Sequence, residues 1–143
     1  MTSDSSAYLT SHTTVRDVMR PPTTTVEPEA HLAAAAYLIK HFDDSALVVT
    51  TEDTHEPVAM ITDSEITQAV ADGLKLEETR ISDIVRTRPV TVDVDALAVD
   101  AERLMLTERV RHLPVVDGKR LVGIVELSDL RAFHHAIIAG SAS

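Results

Sequence analysis

Apolar residues fall along this chain in two different rhythms. At 46–49, 58–61, 113–116 and 121–125 the residues are aliphatic almost without interruption. Short runs of this kind, bounded by turn residues, predict buried strands. Between Glu29 and His41, and again between Asp95 and Thr107, apolar positions recur at helical spacing instead. Two further short strands are predicted near Thr24–Val26 and Val90–Val92. Pro28 is predicted to sit early in the helix that follows the first of them, where a missing N–H costs little. Asp117-Gly118 separates two of the apolar runs and is a strong hairpin signal. A last helix is predicted to begin near Thr62 and another near Leu127.

These elements occur twice. Val15-Arg16-Asp17-Val18-Met19 returns as Ile81-Ser82-Asp83-Ile84-Val85. Thr25-Val26 returns as Thr91-Val92, and Leu38-Ile39 as Leu104-Met105. Val58-Ala59-Met60-Ile61-Thr62 matches Val122-Gly123-Ile124-Val125-Glu126, and the polar residues that follow also correspond. Each repeat reads strand, helix, strand, strand, helix. The first has the longer hairpin loop, Thr51 to Glu56. A unit this small buries little surface and is marginal alone, so two are expected to stack sheet to sheet. The expected segments are a flexible 1–13, a repeat at 14–72, a linker at 73–80, a repeat at 81–139 and a frayed 140–143.

Composition narrows the function. Apolar residues make up 44% of the 143, enough for a packed core, and Val, Ile, Leu and Ala dominate them. The net charge of −10 and the lack of a basic stripe argue against nucleic acid and anionic membranes as partners. No apolar run reaches transmembrane length and no secretory signal core is visible, so a cytoplasmic protein is expected. The absence of cysteine excludes disulfides and thiol nucleophiles. No P-loop, no Gly-x-Ser-x-Gly and no His-x-x-x-His with a carboxylate partner is present, so neither an enzyme nor a metal site is expected.

The second repeat carries Pro89-Val90-Thr91-Val92, Leu113-Pro114-Val115-Val116-Asp117, Leu121-Val122-Gly123-Ile124-Val125 and Ser128-Asp129-Leu130. The first keeps the frame with Val48 and Ala59 in place of the Pro and Gly. This ordered set, present twice, resembles a tandem pair of CBS (cystathionine-β-synthase) domains, a Bateman module. The resemblance implies an α/β (α+β) fold of two β-α-β-β-α repeats packed sheet to sheet with pseudo-twofold symmetry. It implies a regulatory module, not an enzyme, that binds AMP, ATP or S-adenosylmethionine in clefts between the repeats and signals to an effector partner. It further implies a homodimer. Apolar Ile66, Val70, Ile137 and Ile138, beyond what a small core needs, are the expected dimer contacts.

Carried over residue by residue, the resemblance makes Asp129 the acceptor for ribose hydroxyls, with Ser128 beside it. The competing reading is that both only stabilise a helix N-terminus. Glu126 stands where the family has a phosphate-contacting Thr or Ser, and a carboxylate there repels phosphate. Thr62 keeps that position in the first repeat, with Glu65 in place of the ribose Asp. Thr62-Asp63-Ser64-Glu65 also spells a capping box that needs no ligand, and this reading is preferred. Arg88, Arg111 and His112 are expected to serve phosphate in the cleft of Thr62. Pro22, Thr23, Ser45 and Ala46 are expected in the cleft of Asp129 and bring no charge to it. An AMP-like ligand is therefore expected to favour Thr62, and an uncharged or cationic adenosyl ligand Asp129. The alternative is a structural or dimerisation module whose clefts hold no ligand, favoured by Val48, Ala59, Glu65 and Glu126.

Overall fold

In chain order the elements are helix α1 (Val15–Val18), strand β1 (Thr25–Val26), helix α2 (Leu32–His41), strands β2 (Ala46–Thr50) and β3 (Pro57–Thr62), and helix α3 (Asp63–Ala71). The second series runs α4 (Ile81–Ile84), β4 (Val92–Asp93), α5 (Ala98–Glu108), β5 (His112–Asp117) and β6 (Arg120–Glu126), followed by helical residues 127–132, here α6. The structure is a computed structural model, described over residues 12–21, 24–42, 46–85 and 87–132.

Two three-stranded sheets result, ordered β1-β2-β3 and β4-β5-β6. β1 runs parallel to β2 with Thr25 beside Val48, and β4 runs parallel to β5 with Val92 beside Val115. β2 and β3 form an antiparallel hairpin in which Ala46 faces Thr62 and Val48 faces Met60. The second hairpin turns tightly through residues 118–119, and Gly118 takes φ +67°, a conformation that glycine adopts without steric cost. The expected strand, helix, strand, strand, helix order thus holds in both repeats, and the fold is the mixed helix and sheet arrangement anticipated.

The chain divides into two compact units, and they are not the two sequence repeats. One combines residues up to Pro21 with Val90–Gly118 and the segment from Val122 onward. The other combines Pro22–Pro89 with Lys119–Leu121. So the leading segment of each repeat completes the unit built on the other repeat. In the first unit named, Val15 N–H donates to Ala96 C=O (2.8 Å) and Ala98 N–H donates to Thr13 C=O (2.8 Å). In the other, Ile81 N–H donates to Ala30 C=O (2.9 Å) and Leu32 N–H to Thr79 C=O (2.8 Å). The same pattern governs the cores. Val15 is buried with Val94, Ala101, Met105, Leu113 and Val125, whereas Ile81 is buried with Leu32, Ala35, Leu47, Val49 and Ile61.

These contacts correct the placement of Pro28. Helix α2 begins at Leu32 with His31 as its N-cap, because its first N–H groups are taken by the carbonyls of Thr79 and Leu76. Pro28 lies before the helix, in a turn closed by Ala30 N–H donating to Glu27 C=O (3.1 Å), at the second turn position where its fixed φ fits. Residues 73–80 do more than link the repeats, since they supply both of those capping carbonyls.

Candidate ligand site at Asp129

Asp129 is the third residue of α6, which starts directly after β6. Its carboxylate is half used. Oδ1 accepts from Arg20 Nη2 at 2.7 Å. Oδ2 is buried and has no hydrogen-bond partner among the described residues. A buried acceptor left unpaired costs about 1–3 kcal/mol, so this oxygen favours any donor that can reach it. The ion pair itself is weak. The Arg20 side chain is 56% exposed, so solvent screening keeps its contribution within about 1 kcal/mol.

Arg20 reaches Asp129 because its backbone is fastened to β6. Arg20 N–H donates to Ile124 C=O and Ile124 N–H to Arg20 C=O, both at 2.9 Å. Gly123 makes room for this. A Cβ on Gly123 would sit 2.5 Å from Met19 Sδ and 2.9 Å from the Arg20 carbonyl oxygen. The glycine of the Leu-Val-Gly-Ile-Val run therefore serves the seating of Met19-Arg20 on the strand. Ala59, its counterpart in the first repeat, is buried in the core of its own unit.

Glu126, the last residue of β6, lies 3.8 Å from His112 Nε2 on β5, an ion-pair distance when His112 is protonated. Arg111 is exposed, and its carbonyl accepts the Leu127 N–H at 2.9 Å, which fixes the start of α6. Ser128 is exposed on the same turn.

In the first repeat the capping box is fully formed. Glu65 Oε1 accepts from Thr62 N–H and from Thr62 Oγ1, both at 3.0 Å, and Glu65 N–H reaches back to Thr62 Oγ1 at 3.4 Å. Both polar side chains are thereby engaged with each other and with the helix end. Ala46 is buried opposite Thr62. Arg88 pairs with Glu56 at 3.1 Å, its side chain 73% exposed.

The structure thus groups the anticipated residues by unit. Asp129, Ser128, Glu126, His112 and Arg111 fall together, Thr62, Glu65 and Ala46 fall together, and Arg88 stands at the first hairpin. One expectation changes. The residues expected around Asp129 bring no charge to it, yet Arg20 is on Asp129 and His112 lies beside Glu126. Pro22, Thr23 and Ser45 lie outside the described residues. Arg20 is the residue that sequence reasoning missed. Among the described residues, no group of three His, Asp or Glu side chains is disposed to hold a metal ion, and no helix is long and apolar enough to cross a membrane.

Each unit carries a three-stranded sheet with helices. The CBS domain family model matches residues 15–72 and 81–135, and the chain belongs to that family. It is 32% identical over 116 residues to CBS domain-containing protein YhcV of Bacillus subtilis, covering 81% of each chain. It is 32% identical over 129 residues to Hypoxic response protein 1 of Mycobacterium tuberculosis, covering 88% of this chain and 90% of that one. A solved structure of Hypoxic Response Protein I with two coordinated zinc ions superposes with a TM-score of 0.74 at 30% identity, over 85% of this chain and 98% of the other. The CBS domain pair of MJ0100, in complex with 5′-methylthioadenosine and S-adenosyl-L-methionine, shares the fold with a TM-score of 0.77 at 24% identity, over 87% of this chain and 97% of that one.

Proposed function

We propose that this CBS pair is a cytoplasmic regulatory module that binds an adenosine-containing ligand at Asp129 and passes the binding event to an effector protein. The observation that carries the reading is the half-satisfied carboxylate. Oδ2 of Asp129 is buried without a partner, and Oδ1 has only an exposed arginine to exchange. A ribose cis-diol offers two hydroxyl donors, and an ionised carboxylate can accept both. The reading is supported by the MJ0100 CBS domain pair, which shares this fold and was solved in complex with 5′-methylthioadenosine and S-adenosyl-L-methionine.

Glu126 sets the preference among them. It stands three residues before Asp129 and adds a second carboxylate to the site, which Arg20 on Asp129, and His112 when protonated, offset only in part against an anionic phosphate. A neutral or sulfonium-bearing nucleoside, such as methylthioadenosine or S-adenosylmethionine, meets no such repulsion. The Thr62 and Glu65 pair is a helix cap and enters the proposal only as that. The module is also proposed to self-associate. Val70, 56% exposed on α3, remains a candidate contact, whereas Ile66 packs against its own core. Ile137 and Ile138 lie outside the described residues.

Calorimetric titration of S-adenosylmethionine and methylthioadenosine into the wild type and Asp129→Ala tests the reading. Saturable binding in the wild type that is lost in a folded Asp129→Ala variant is expected. Equal affinity in both would refute the ribose role.

A further inference from the structure

In the unit built on the first repeat, away from Asp129 in sequence and chemistry, a cavity of about 500 Å³ opens at the carboxyl ends of the parallel strands β1 and β2. That is within the roughly 300–1,000 Å³ usual for small-molecule sites. Its wall carries Glu27, Glu29 and Glu52 and no lysine or arginine. None of these three carboxylates makes an ion pair or side-chain hydrogen bond among the described residues. The nearby Arg80 is turned to the backbone, donating from Nη1 to Glu29 C=O at 2.7 Å. The N-terminus of α2 adjoins the site, but its leading N–H groups are already given to Thr79 and Leu76.

A second observation is independent of the acids. Thr50, the last residue of β2, is only 2% exposed, lines the same cavity and makes no side-chain hydrogen bond among the described residues. Its neighbour Thr51 is committed to the hairpin loop, with Oγ1 2.8 Å from Thr54 Oγ1 and accepting from Glu56 N–H at 3.0 Å. Buried hydroxyls are ordinarily partnered. Thr50 therefore presents an unused polar group inside a cavity rimmed by unused negative charge.

We propose that this cavity binds a linear organic polycation of the polyamine class. An N–H donor of the ligand is accepted by the Thr50 hydroxyl, and its spaced ammonium groups lie against Glu27, Glu29 and Glu52. A metal ion is the poorer fit. Divalent cations need several oxygens converging within about 2.0–2.6 Å, and no such convergence exists among the described residues. Several charges strung along a flexible chain match carboxylates distributed around a cavity.

The test is calorimetric titration of spermidine into the full chain at low and high salt, with magnesium chloride as the competing cation. One saturable site is expected in the wild type. Glu27→Gln/Glu52→Gln should weaken it about tenfold or more, since each charged hydrogen bond lost is a large term. Thr50→Val should weaken it as well, and Thr50→Ser, which keeps the hydroxyl and guards against a folding defect in the valine variant, should retain it. Glu102→Gln/Glu108→Gln on α5 changes the net charge equally and should leave affinity unchanged. Equal weakening by both glutamine pairs would mean diffuse attraction to an acidic surface and would overturn the proposal. Stoichiometric displacement of spermidine by an equimolar amount of magnesium would overturn it too.

Discussion

Gly123→Ala isolates the contact that brings Arg20 to Asp129. The added methyl would lie 2.5 Å from Met19 Sδ and 2.9 Å from the Arg20 carbonyl oxygen, so side chain and backbone must both move. Overpacking of this kind costs about 1–3 kcal/mol. If the segment lifts instead, two 2.9 Å backbone hydrogen bonds between Arg20 and Ile124 are lost, together about 1–3 kcal/mol. Replacing glycine lowers the entropy of the unfolded chain and returns about 0.5–1 kcal/mol. The net expectation is a loss of about 0.5–2 kcal/mol. Urea unfolding followed by circular dichroism measures it, with the slope unchanged and the midpoint lowered. Hydrogen exchange supplies the local readout, and the amides of Arg20 and Ile124 should be the ones that lose protection. A Gly123→Ala variant as stable as the wild type, with those amides still protected, would refute the seating of Met19-Arg20 on β6.

Three further outcomes are expected. Thr62→Ala removes a formed capping box and should cost about 0.5–2 kcal/mol in thermal or urea unfolding, without changing adenosyl-ligand affinity in titration calorimetry; a loss of that affinity in the folded variant would mean Thr62 is more than a cap. Glu126→Thr removes the carboxylate that opposes phosphate and should strengthen AMP binding at low salt, while unchanged AMP affinity would show that Glu126 does not face the ligand. Sedimentation at micromolar concentration should show self-association that weakens in Val70→Asp, and a wild-type monomer would remove the proposed dimer.

Much of this architecture was legible in the sequence, for a physical reason. Strand and helix periodicities are local, and Leu38-Ile39 and Leu104-Met105 sit on core faces of α2 and α5 because helical spacing put them there. Asp117-Gly118 marked its hairpin because few residues tolerate φ +67°. What stayed hidden depends on which segments meet. The likeness of Val15-Arg16-Asp17 to Ile81-Ser82-Asp83 showed that the two segments are equivalent, not that each docks on the sheet of the other repeat. Pro28 was misplaced because the carbonyls that fix the start of α2 come from residues about fifty positions later. Arg20 carried no signal at all, since its partner lies 109 residues away and nothing in Met19-Arg20-Pro21 names it. The capping box at Thr62 was the reverse case, a motif of four adjacent residues whose bonds are all local. The glycine at 123 was read as a family mark, and only the packing of Met19 against it gives the reason.

The most direct test of the central claim is a crystal structure of the chain grown with methylthioadenosine. Ribose hydroxyls are expected about 2.6–3.0 Å from the Asp129 carboxylate, with Oδ2 accepting one of them. A ligand bound elsewhere, with Asp129 Oδ1 still held by Arg20 and Oδ2 still unpartnered, would contradict it.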